Sequence, residues 1–224
     1  MTTHADQTLV DGLRYIVVEG PIGVGKTSLA KRLADSFASE LILESPEENP
    51  FLERFYKNRR HAALPTQLFF LFQRARQIEN IRQTDLFTPL RIADFMLDKD
   101  RLFAELNLDP SELSLYRQVY ESLQLDPPAP DLVIYLQAPP SVLRRRVQNR
   151  GIPYEQWLDE EYLDRLGNAY AKFFYEFDAA PLLIVNAANI DPVHREADYQ
   201  ELLRAIGRIR HGRHFFNPAI ETFA

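Results

Sequence analysis

Residues 20–27 read Gly-Pro-Ile-Gly-Val-Gly-Lys-Thr, and no other stretch of the 224-residue chain restricts its fold so tightly. The run follows an apolar, β-branched segment at 15–18 and opens a stretch with helical spacing through Ser28, Leu29 and Leu33. Strand, glycine-rich turn and helix in that order are the context in which G-x-x-x-x-G-K-[ST] binds phosphate. Glycines let successive backbone N–H groups face one anion, the helix start adds partial positive charge, and Lys26 adds a full one. Thr27 offers a hydroxyl oxygen to Mg2+. Gly20, Pro21, Ile22, Gly23, Val24, Gly25, Lys26, Thr27 and Ser28 therefore form the candidate cradle for a nucleotide's phosphates.

Further short apolar runs lie at 41–43, 132–136 and 182–185, with a weaker one at 90–93, separated by stretches of helical spacing. Brief β-rich runs alternating with helices predict an α/β fold, here a P-loop NTPase-type three-layer sandwich: a five-stranded parallel sheet with helices on both faces. Asp109-Pro110-Ser111-Glu112 has the composition of a capping box and starts a helix directed towards Leu125, ended by Pro127, Pro128 and Pro130. Pro139 and Pro140 open another helix. Over 65–84, Leu68, Leu71, Phe72, Ala75, Ile78 and Ile81 follow a helical period. No repeat or low-complexity linker divides the chain, so the expectation is one domain over 1–224.

A formal charge of −6 gives no general attraction to nucleic acid or to an anionic membrane, so neither is an expected partner and any anion must be held locally. The absence of cysteine excludes disulfides, thiol catalysis and cysteine-ligated metals. No apolar run approaches the eighteen or so residues of a membrane helix, and residues 1–13 have neither the basic start nor the apolar run of a secretory signal. A cytoplasmic location is expected.

A phosphate cradle alone does not separate ATPases, GTPases and small kinases. No Asn-Lys-x-Asp tetrapeptide is present to read guanine, which points to a small-molecule kinase. A carboxylate, Glu44, ends the second apolar run, from which it can accept a proton from an attacking hydroxyl. Gln67 and Arg74 stand two helical turns apart and so share a face. Asp94 ends the 90–93 run, where a carboxylate can hold Mg2+ beside Thr27. Arg146 and Arg150 are four apart on another helix, followed by Glu155.

The order and spacing of these motifs resemble the deoxynucleoside kinase family, especially its bacterial deoxyadenosine and deoxyguanosine kinases, over about residues 14–189. The resemblance implies Mg-dependent transfer of the ATP γ-phosphoryl group to the 5′-hydroxyl of a deoxynucleoside, a purine one by its nearest type, in nucleotide salvage by a homodimer. It assigns catalysis to Glu44 as base, Lys26, and the lid arginines Arg146 and Arg150, with the lid at about 144–156. Mg2+ falls to Thr27 and Asp94, the sugar to Tyr56 and Glu155, the base to Gln67, Arg74 and Asp100, and the adenine of ATP to 186–192. Two departures stand out: Phe95 occupies the place of an arginine after the strand-end acid, and Ile152 that of a third lid arginine. Arg101, Arg144 and Arg145 are the candidates to replace them. A nucleoside monophosphate kinase of thymidylate type and a nucleotide-binding regulator without turnover are the competing readings. The stretch 204–214, with four arginines and two histidines, reads as a helix end with a basic last turn, and the tail 215–224 receives no role.

Overall fold

A computed structural model describes residues 7–82 and 90–217. Residues 1–6 of the leading segment, 83–84 of the expected long helix and 218–224 of the tail fall outside them. Six parallel strands form one sheet in the order β2-β3-β1-β4-β5-β6: β1 (Tyr15–Glu19), β2 (Glu40–Ile42), β3 (Arg91–Ala93), β4 (Leu132–Gln137), β5 (Leu182–Asn186) and β6 (Arg213–Phe216). Parallel neighbours require crossovers, which the helices supply: α1 (Lys26–Phe37), α2 (Leu52–Lys57), α3 (Arg59–Arg82), α4 (Lys99–Asn107), α5 (Pro110–Ser122), α6 (Pro140–Arg150), α7 (Glu160–Glu176) and α8 (Glu196–Ile206).

Side chains alternate across a strand, and each face of the sheet is covered. Ile16 and Val18 of β1 join Leu29 and Leu33 of α1 and Leu202 and Leu203 of α8, whereas Val17 joins Leu71 of α3, Tyr116 of α5 and Tyr170 of α7. The expected α/β sandwich is present, with six strands rather than five. The sixth escaped notice because Arg213, His214 and Phe215 are exposed and show no apolar alternation. Backbone pairing sets it in the sheet, with Leu182 opposite Arg213 and Val185 opposite Phe216, and Arg213 adds donation to the carbonyl oxygens of Phe174, Tyr175 and Phe177. The basic stretch at 204–214 is thus divided between the end of α8, a turn and an edge strand.

The Asp109 capping box forms: its carboxylate accepts from the N–H groups of Ser111 and Glu112, and Glu112 reaches back to the Asp109 N–H. That helix stops at Ser122, where Gln124 turns to positive φ, short of Leu125. The long helix starts six residues before the expected Pro65, which lies inside it. Burial of Ala62 and Ala63 on its first turns offsets the backbone hydrogen bond that proline removes. Among the described residues no helix is long and apolar enough to cross a membrane.

β1 lies between β3 and β4. The chain leaves β1 for one side of the sheet through α1 and β2, then returns past β1 to β4, which makes this the switch point where α/β sheets open a crevice at their carboxyl ends. The loops after β1, β2 and β3 all end there.

Candidate active site

The loop after β1 is shaped by glycine. Gly20 has φ +147°, and a Cβ there would lie 2.3 Å from the Leu136 carbonyl oxygen; Gly23 has φ +83°, and a Cβ there would lie 2.7 Å from the Val147 side chain of α6. Lys26, the first residue of α1, donates from Nζ to the carbonyl oxygens of Gly20 (2.7 Å) and Pro21 (3.3 Å). Burial, reinforced by the like charge of Lys99, pulls the Lys26 ammonium down to about 8. Beneath the loop, the fully buried Glu19 carboxylate accepts from Gly20 N (2.8 Å), Met96 N (3.1 Å) and the Tyr170 hydroxyl (3.0 Å). The sequence reading passed over Glu19; its signal was an acid closing an otherwise apolar strand against a glycine loop.

The facing wall comes from β2, β3, α3 and α4. Asp94, after β3, accepts from the Thr27 hydroxyl and, at 2.8 Å, from Glu44 N. This places the two proposed Mg2+ donors together and fixes the backbone after β2 beside them. One Glu44 oxygen accepts from Arg74 and the other from Lys99 Nζ at 2.8 Å, while Arg74 also donates to Asp100. Arg74 is 3% exposed and Asp100 fully buried, so these four residues form a charge-balanced chain of two acids and two cations. Burial by itself would raise the Glu44 carboxyl, but Arg74 and Lys99 outweigh it and hold the group down at about 2. In Asp100 burial prevails over Arg74 and pushes the carboxyl up to about 6.

Glu44 therefore stabilises the fold in a pH-dependent way. Its folded pKa lies below the ordinary carboxyl value, so the unfolded chain binds more protons between them and stability rises with pH across that interval. The contribution is complete above about pH 4.5 and is lost as pH falls towards 2. Urea unfolding of wild type and Glu44→Gln between pH 5.5 and 3.5 is expected to give a stability difference that narrows on acidification. A difference independent of pH would show that Glu44 does not titrate in this way.

These walls border a concave cleft with about 120 Å3 of internal room. Lys26, Thr27, Glu44, Gln67, Arg74 and Asp94 line it, together with Tyr56, Arg150 and Glu155 at the lid side. Tyr56 stacks on Tyr154 at 6.0 Å between ring centres. Glu155 accepts from Arg150 through both oxygens, with Nε at 3.0 Å from one of them. Asp100 stands behind Arg74 and touches the cleft only through it. Arg146, expected to close over a triphosphate beside Arg150, donates to the carbonyl oxygens of Val24 (2.9 Å) in the phosphate loop and Ala187 (2.7 Å) in the 186–192 loop. It thereby ties the phosphate loop to the 186–192 loop and braces both.

Phe95 is 1% exposed and belongs to the core. Of the expected replacements for an arginine there, Arg101 lies over the Tyr120 ring at 4.9 Å and Arg145 is exposed. Beside Arg74, the second cation that reaches Glu44 is Lys99, which no sequence motif singles out. It stands five residues after Asp94 at the start of α4, a spacing that becomes meaningful only once the turn after β3 is known.

The deoxynucleoside kinase family profile matches residues 16–210. The deoxyguanosine kinase of Bacillus subtilis is 34% identical over 194 residues, covering 84% of this chain and 93% of the relative. The deoxyadenosine kinase of Lactobacillus acidophilus is 27% identical over 208 residues, covering 87% and 95%. Among solved structures, a deoxyadenosine kinase from M. mycoides with dCMP and a flexible dCDP bound matches with a TM-score of 0.74 and 25% identity, over 86% of this chain and 98% of that one. With a glycine-shaped phosphate loop facing a partly buried, ion-paired carboxylate across one cleft, and with similarity running through nearly the full length, the chain belongs to the deoxynucleoside kinase family.

Proposed function

We propose that this kinase transfers the γ-phosphoryl group of ATP to the 5′-hydroxyl of a purine deoxynucleoside, in salvage of the nucleoside. The observation that carries the reading is the position of Glu44: its carboxylate is held between Arg74 and Lys99 on the wall facing Lys26 and Thr27. Each carboxylate oxygen retains a lone pair beyond the one its cation uses, so a substrate hydroxyl can donate to Glu44 without breaking either pair. Phosphoryl transfer asks the protein for position and charge more than for covalent chemistry, and this wall supplies both. The Lys26 ammonium and the loop N–H groups hold the phosphates, and Gln67 with the Arg74 fork reads the base edge. Tyr56 and Glu155 hold the sugar, and Arg150, already paired with Glu155, joins the lid side to it. Relatives named for deoxyguanosine and deoxyadenosine support the purine preference.

The Thr27 hydroxyl and an Asp94 oxygen in contact form a hard oxygen pair, the kind of donor set with which Mg2+ is held while it keeps waters and substrate phosphates. When bound there, Mg2+ would offset phosphate charge. Because the wall around Glu44 is already charge-balanced, it suits an uncharged nucleoside better than a monophosphate, which favours the nucleoside kinase over the thymidylate-type reading.

The test is a phosphorylation assay with Mg2+ and ATP against each of the four deoxynucleosides and the matching monophosphates. Turnover of deoxyguanosine or deoxyadenosine at least about tenfold more efficient than of the pyrimidines is expected. Preference for a monophosphate would give the acceptor to the thymidylate-type reading, and nucleotide binding without turnover on any acceptor would overturn the proposal in favour of a regulator.

A further inference from the structure

We propose that Lys99 contacts the phosphoryl group as it moves, so that α4 supplies the positive charge that the buried Phe95 cannot. The inference rests on the kinase reaction proposed above and concerns a residue of this chain that the motif comparison does not assign.

Lys99 is 6% exposed and yet carries an ammonium group. A buried charge persists only where partners compensate it. An ammonium has three donors, and among the described residues Lys99 makes one hydrogen bond, to Glu44. The Phe103 ring, 5.8 Å from Nζ, adds a weak attraction on one side. Two donors remain, and Lys99 lines the same cleft as Lys26, Thr27 and Asp94. Two ammonium groups, Lys26 and Lys99, thus border one space and repel each other across it. Glu44 offsets Lys99, and Glu19, Asp94 and Glu44 offset Lys26, so what the cleft leaves open is donors: the two unused ones of Lys99 are available to an anion lying between the two ammonium groups.

The reaction supplies one. In transfer the phosphoryl group sits between the leaving oxygen, on the Lys26 side, and the attacking oxygen, on the Glu44 side, with its charge spread over three equatorial oxygens. A cation bonded to the base is within one oxygen's reach of the attacking atom and hence of those equatorial oxygens. Lys99, 2.8 Å from Glu44, and Arg74 both meet this condition, but each terminal nitrogen of Arg74 is engaged, one by Glu44 and one by Asp100, while Lys99 keeps two donors and Arg101 is engaged over Tyr120. No bond of Lys99 is made or broken. The 5′-oxygen forms its bond to phosphorus, the bond to the ADP oxygen breaks, the hydroxyl proton passes to Glu44, and Lys99 keeps its charge throughout.

The alternative is that Lys99 is only a counter-ion for Glu44. Kinetics of Lys99→Met, Lys99→Arg, Glu44→Gln and Glu44→Gln/Lys99→Met separate the two, with wild type as the control for the reaction itself. Lys99→Met is expected to lower kcat about 10²–10³-fold while the deoxynucleoside KM changes less than about threefold. Lys99→Arg, which keeps the charge, should recover most of that loss. The double variant should be slower than Glu44→Gln by a further factor of about ten or more; equal rates for Glu44→Gln and the double variant would overturn the proposal. If Lys99→Met does not fold, Lys99→Gln, which retains a donor towards Glu44, takes its place. A second readout needs no acceptor: calorimetric titration should show Lys99→Met weakening ATP about tenfold while ADP changes less than about twofold. An unchanged ATP-to-ADP ratio together with a kcat loss confined to the Glu44 background would overturn it as well. If wild type phosphorylates no deoxynucleoside, the kinase reading fails, and the ATP-to-ADP ratio alone then decides whether Lys99 faces the terminal phosphate.

Discussion

Glu44→Gln is expected to lower kcat for deoxynucleoside phosphorylation about 10²–10⁴-fold, with ATP affinity changed little, the range that loss of a positioned proton acceptor produces. The amide has nearly the shape of the carboxylate but neither its charge nor its capacity to take the hydroxyl proton. It also presents an NH2 group to one of two cations that now hold an oxygen each. With its carboxyl held at about 2, Glu44 is ionised at any working pH, so its basicity is modest and its contribution lies chiefly in orientation and charge at the attacking oxygen. An isotope-transfer assay measures the step directly. Full turnover in the variant would remove Glu44 from the base role and leave it as ballast for Arg74 and Lys99.

Glu19→Ala is expected to be the most destabilising single truncation around the cleft, by about 3–6 kcal/mol, because three buried donors lose one acceptor together and each orphaned group costs about 1–3 kcal/mol. Those donors are Gly20 N, Met96 N and the Tyr170 hydroxyl. For a chain of this length that corresponds to a fall in melting temperature of roughly 6–24 °C. Urea unfolding at 25 °C provides the number. Glu19→Gln keeps one acceptor oxygen and opposes an NH2 to the remaining donors, so it should fall between wild type and the truncation. A loss below about 1 kcal/mol for Glu19→Ala would show that water or a shifted loop satisfies the three donors instead.

What the sequence disclosed, and what it did not, divides by the range of the interaction. The phosphate loop, the Asp109 capping box and the central strands are local patterns whose residues state their own geometry, and each is found where the pattern placed it. Glu44, Gln67, Arg74 and Asp94 share one cleft because they end strands or share a helix face, and both relations can be counted along the chain. Lys99 could not be found that way: it reaches Glu44 across 55 residues through a turn whose shape the sequence does not spell out. The bonds of Arg146 to backbone carbonyls of two other loops are likewise long-range and leave no mark in the local pattern. The edge strand Arg213–Phe216 is hidden for the opposite reason, since its side chains carry no apolar alternation to record the backbone pairing.

The phosphate cradle has a further consequence for how the protein comes into being. Its eight residues are contiguous and near the amino terminus, yet Gly20 is packed against the Leu136 carbonyl and Gly23 against Val147. The walls that force the loop into its shape are made more than a hundred residues later, and β1 itself waits for β3 and β4 on either side. A nascent chain on the ribosome therefore carries the complete motif long before it carries a nucleotide site. Until β4 and α6 have emerged, the loop's glycines lack the walls that close on them in the finished fold.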